Sequence, residues 1–77
     1  MPRNQDTETI LDMISEEMDW PSSARPLLAW YMNRLGLNRI LSAWQEQSQR
    51  NETQPPRSKY RAFRARLVKA FKASTNH

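Results

Sequence analysis

Apolar residues recur at helical spacing in four stretches of the chain. Ile10, Leu11, Ile14 and Met18 share one face of a helix predicted over Thr7 to Met18, and Glu8, Asp12 and Glu16 form the opposite ridge at four-residue spacing. Asp6 or Thr7 stands where an N-cap acceptor is needed, and acids in the first turns suit the helix dipole. Asp19-Trp20-Pro21-Ser22-Ser23 then breaks the pattern. Proline disfavours helix for the residue before it, so Trp20 is expected to be extended and Arg25 strained toward extended.

A second helix is predicted to start between Ser22 and Pro26, since proline is tolerated in a first turn. Leu27, Leu28, Tyr31 and Leu35 make its apolar face, with Trp30 and Met32 on the flanks. Gly36 reads as a left-handed stop, with Leu37 supplying the hydrophobic contact that accompanies such stops. Asn38 then caps a third helix to about Gln49, with Ile40, Leu41 and Trp44 inward. The alternative, one helix running through Gly36, costs about 1 kcal/mol relative to alanine at that position. The break is the reading adopted.

Residues 49–58 are polar and carry Pro55-Pro56, which marks a partly polyproline-like linker between a helical body, residues 1–48, and a C-terminal helix within residues 59–77. Ser58 is placed to cap that helix, predicted from Lys59 to Ala73. Tyr60, Phe63, Leu67, Ala70 and Phe71 share a stripe along it, and Lys59, Arg61, Arg64, Arg66, Lys69 and Lys72 cover the rest. The expected fold is therefore all-α: three short helices packing Ile10, Ile14, Leu27, Leu28, Tyr31, Leu35, Leu41 and Trp44, plus a basic amphipathic fourth helix in a single domain. One glycine among 77 residues, with abundant Leu, Met, Ala, Gln, Glu and Arg, argues for helix over sheet.

Charge changes the picture more than any motif. Residues 1–48 carry four basic side chains against seven acidic ones; residues 49–77 carry eight basic against one acidic. A basic tail on a mildly acidic body implies an anionic partner, or a body that neutralises its own tail. The leading expectation is a small regulatory protein that binds nucleic acid, DNA or RNA, through phosphate contacts from Arg61, Arg64, Arg66 and Lys69, with Arg57, Lys59 and Lys72 at the rim. The competing readings are a solvated face, or docking on the Glu8-Asp12-Glu16 ridge. Sequence-specific reading of a major groove is not expected, because Arg39 is the only basic residue on the third helix's outer face before its end. The alternative function is an adaptor or inhibitor that binds another, acidic protein. It would use Trp20 and Trp30, expected at the surface, or the stripe of Tyr60, Phe63, Leu67 and Phe71.

Other chemistry has little support. The chain has no cysteine, and its one histidine is His77, so neither a structural metal nor any other cofactor is expected. Three acids along one helix converge poorly on a cation. Without an internal histidine, a glycine-rich phosphate loop or a serine beside a base, an enzyme is not expected. The opening residues lack the apolar core of a signal peptide, and the longest apolar run, Leu27 to Trp30, is too short to span a bilayer, which points to the cytoplasm. A chain of this size buries only about 60% of its unfolded surface, so association, including a homodimer, is expected to help it.

Overall fold

The computed structural model describes the backbone of residues 3–75 and the side chains of residues 7–74. These residues form four α-helices and one short 3-10 turn, with no strand among them: α1 (Arg3–Glu17), the 3-10 turn Ser22–Ala24, α2 (Arg25–Leu35), α3 (Leu37–Thr53) and α4 (Lys59–Thr75). The all-α bundle expected from the sequence is the fold. Helix α1 begins at Arg3, so Asp6 and Thr7 lie inside it rather than at its cap. His77 lies outside the described residues.

How α1 ends decides where Trp20 goes. Asp19 takes a left-handed backbone, φ 53°, and the Trp20 amide reaches back to the Ser15 carbonyl at 2.9 Å. A left-handed residue after the helix, followed by an amide bonded five residues back, is a Schellman stop, here built without glycine. It turns the chain under the end of α1 and drives the Trp20 ring into the core, where it is only 4% exposed. The expectation of a surface Trp20 is overturned for this reason. Its indole Nε1 donates to the Ala24 carbonyl at 2.6 Å, which satisfies the buried donor and ties the 3-10 turn to the ring.

Helix α2 starts at Arg25, inside the predicted window, with Pro26 in its first turn. Arg25 itself is helical, φ −57° and ψ −41°, not extended. The preceding 3-10 turn, closed by the Ala24 amide on the Pro21 carbonyl at 3.0 Å, delivers the chain already curled. Leu28, Tyr31, Met32 and Leu35 are buried, while Leu27 is 36% exposed. The apolar face is thus rotated toward Met32, away from Leu27. Six large apolar residues spread around this helix, and its neighbours α1, α3 and α4 decide which stay outside.

Gly36 separates α2 from α3 with φ 90° and ψ 160°. Its amide closes on the Met32 carbonyl at 2.9 Å and its carbonyl accepts from Ile40 at 3.1 Å. The break is where the sequence predicts it, but two details differ. Gly36 is itself the residue before α3, so Asn38 lies inside the helix and is not its cap, and Leu37 is 44% exposed rather than folded back on α2. Helix α3 continues to Thr53, four residues beyond the expected Gln49, which shortens the connector to residues 54–58. Ile40 and Ala43 are buried, Leu41 and Trp44 half-buried.

The core joins Leu11 and Ile14 of α1 and Met18 just beyond its end to Trp20, the inner face of α2, Ile40 and Ala43, and Phe63 and Leu67 of α4. Ile10, Trp44, Tyr60 and Phe71 pack at its edge. At about 25 cal/mol per Å² of apolar surface, burying each large side chain contributes roughly 1.5–3 kcal/mol before chain entropy is subtracted. Helix α4 closes this bundle, rather than standing off as an arm.

Candidate nucleic-acid interface

Helix α4 is placed by its two ends and its stripe. The Ser58 hydroxyl accepts from the Arg61 amide at 3.2 Å, and the Ser58 carbonyl accepts from Ala62 at 3.1 Å, so the helix starts where the sequence predicts. Phe63 and Leu67 are fully buried. Tyr60 packs edge-on to Trp20, and Phe71 lies 5.2 Å from the Trp30 ring. With that stripe fixed inward, helical geometry turns the cations outward.

Arg57, Lys59, Arg61, Arg64, Lys69 and Lys72 are all exposed. Among the described residues Arg57, Lys59, Arg61 and Lys69 have no carboxylate partner. Arg64 lies over the Tyr60 ring at 5.2 Å and its Nη1 donates to the Tyr60 hydroxyl at 3.3 Å. Arg66 differs from the others. It is half-buried, its Nε donates to Gln47 Oε1 at 2.8 Å, and its Nη1 pairs with Glu46 Oε1 at 2.8 Å. Gln47 is buried and passes the bond on to Asn51 at 2.8 Å, and Asn51 reaches the Met18 sulfur, so this chain of contacts links α4, α3 and the end of α1.

Apart from Glu46, the acids with a partner find it away from α4. Arg25 of α2 pairs with Asp12 at 2.5 Å and stands 3.7 Å from Glu8. Glu17 accepts from Ser48. Docking of the basic helix on the Glu8-Asp12-Glu16 ridge is therefore not the arrangement found; Glu8 and Asp12 meet Arg25 of α2 instead.

Of the residues read as a protein-binding surface, Trp20, Phe63 and Leu67 are in the core and Tyr60 and Phe71 are half-buried against it. Their apolar area is spent within the chain. Trp30 alone matches the expectation of an exposed aromatic, at 40%, with Arg34 5.4 Å above its ring.

Sequence reasoning passed over two cations that the fold brings beside α4. Arg39 lines a trough with Lys69 and Arg66, and Arg50 lines its continuation with the same two residues. The signal was present in the spacing: Arg39, Glu46 and Arg50 fall at i, i+7 and i+11, one face of α3. No cluster of three or more metal-ligating side chains occurs among the described residues, and none of the helices is long and apolar enough to cross a membrane.

What fold and site define is a small all-α bundle with one outward cationic helix. No family model, curated protein or solved structure matches the chain.

Proposed function

We propose that this chain is a non-enzymatic regulatory protein that binds nucleic acid through backbone phosphates, using the outer face of α4. One observation carries the reading: Glu8 and Asp12 are engaged with Arg25 and Glu17 with Ser48, Glu46 takes Arg66, and Arg57, Lys59, Arg61 and Lys69 remain exposed without a carboxylate partner among the described residues. Unpaired cations on a rigid helix release counterions from a polyphosphate without first breaking internal ion pairs. Arg64, propped on Tyr60, offers its guanidinium fork with less freedom to lose.

Fluorescence anisotropy with labelled DNA and RNA oligonucleotides, titrated at several salt concentrations, tests this. Four to six phosphate contacts predict a log–log salt slope of roughly −3 to −5. Arg61→Glu with Lys69→Glu should weaken binding at least tenfold. No binding of either nucleic acid at low salt removes the proposal. A second reading, an adaptor binding another protein, is favoured by the exposed Trp30; partners captured from nuclease-treated lysate and lost with Trp30→Ala would support it.

A further inference from the structure

We propose that the trough between α3 and α4 is a track for one sugar–phosphate strand, gripped by Arg39, Lys69 and Arg50, and that Glu46 weakens this grip by holding Arg66. This rests on the nucleic-acid reading above and adds the strand's path and a residue that limits affinity.

The two helices run antiparallel, so Arg39 lies near Ala70 and Ala73 while Arg50 lies near Ala62 and Ala65. Alanines on α4 leave an open trough where larger residues would have filled the gap. Its two halves hold about 580 and 310 Å³ and share Arg66 and Lys69 as walls. Arg39 and Arg50 are eleven residues apart on one face, or about 16 Å along the helix. That length lets Arg39 and Arg50 meet separate phosphates of one strand. Neither arginine has a carboxylate partner among the described residues. Asn38 and Ser42 in one half, and Gln54 in the other, add neutral donors.

Glu46 is the one carboxylate lining either half. Its bond to Arg66 spans the trough where the halves meet. It acts twice against a phosphate: it occupies one guanidinium nitrogen and it places a negative charge on the path. Glu46→Gln removes the charge while Gln47 still holds Arg66 through Nε. The Glu46 side chain is 66% exposed and Arg66 keeps its Gln47 bond, so loss of the ion pair has little effect on the fold.

The test is anisotropy of a labelled single-stranded 20-mer against the full chain over a range of salt. Arg39→Ala, Arg50→Ala and Glu46→Gln are compared with Arg34→Ala, which removes one charge outside the trough. Arg39→Ala and Arg50→Ala are each expected to weaken binding five- to tenfold and to flatten the salt slope by about 0.7, one single-strand phosphate contact. Arg34→Ala should stay within twofold of the parent. Glu46→Gln is expected to tighten binding three- to tenfold and steepen the slope by a similar amount, a gain that unfolding cannot produce. If Arg39→Ala and Arg50→Ala behave like Arg34→Ala, or Glu46→Gln leaves affinity unchanged, the track is wrong while the wider reading stands. An acidic peptide of equal charge that displaces the oligonucleotide at the same concentration also overturns it. A parent chain that binds no oligonucleotide at any salt overturns both.

Discussion

Trp20 stands edge-on to Tyr60, with ring centroids 4.7 Å apart and planes at 86°, and this contact fastens the turn after α1 to the first turn of α4. Phe63 meets the same indole at 6.0 Å. One side chain thus holds together parts of the sequence forty residues apart and bonds the Ala24 carbonyl as well. Trp20→Ala is expected to cost about 3–5 kcal/mol through the cavity it leaves. A chain of this length has roughly 4–11 kcal/mol in total, so much of its stability would go. Trp20→Phe keeps part of the packing but loses the indole's bond to the Ala24 carbonyl, and should fall between. Urea unfolding followed by far-UV circular dichroism measures both; an unchanged midpoint for Trp20→Ala would contradict the buried assignment.

Two positive-φ residues should respond to substitution with opposite signs. Gly36, at φ 90° and ψ 160°, occupies a region essentially reserved for glycine, though open space surrounds the position a Cβ would take. Gly36→Ala is expected to destabilise by roughly 1–3 kcal/mol through backbone strain alone. Asp19, at φ 53°, occupies the left-handed region with a side chain. Asp19→Gly should therefore stabilise by several tenths of a kcal/mol to about 1, less the extra freedom glycine gives the unfolded chain. Unfolding midpoints moving in the same direction for both would contradict the backbone argument.

These two positions also show why part of the fold could be read in one dimension and part could not. Gly36 announces its break because no other residue type tolerates its conformation as easily. Asp19 performs a similar stop without that signature, so nothing local foretells that Trp20 is swung inward. The α4 stripe was legible because its large apolar residues occupy one face and cations the others. On α2 the apolar residues surround the helix, and the burial of Met32 over Leu27 is settled by tertiary neighbours. The basic face of α4 was visible in its charge run. The place of Arg39 and Arg50 beside it was not, since counting charge by segment puts Arg39 in the acidic block and the polar run from residue 49 reads Arg50 as linker, while α3 runs on to Thr53 and packs both beside α4.

Ser58 offers a local test of how α4 is set. Its hydroxyl accepts the Arg61 amide, one of the donors a helix start leaves unpaired. Ser58→Ala is expected to cost about 0.5–2 kcal/mol, and Ser58→Asn to retain the cap without adding charge. Because the first turn carries Lys59, Tyr60 and Arg61, fraying there should also weaken oligonucleotide binding for Ser58→Ala. Thermal unfolding paired with anisotropy separates the two effects; equal loss of binding in Ser58→Asn would point to the hydroxyl contacting the ligand instead of the helix.

Trp30 distinguishes phosphate binding from recognition through an aromatic surface. Its ring rests against Tyr31 at 5.2 Å and Phe71 at 5.2 Å, but 40% of the residue is exposed, so removing it forfeits only part of a full side chain's burial. Trp30→Ala is expected to lower stability by about 1–2 kcal/mol, below the 3–5 kcal/mol of a fully buried tryptophan. It should leave oligonucleotide affinity within twofold, since Trp30 contributes no cation and lies on the α2 side of α4, away from the α3 trough. Base stacking on this ring would instead cost about 1–3 kcal/mol of binding, a factor of roughly five to a hundred or more. Anisotropy at fixed salt, with circular dichroism to confirm the fold, reads the difference. A large loss of oligonucleotide binding in a folded Trp30→Ala would move the interface from the cations to the aromatic edge formed with Phe71.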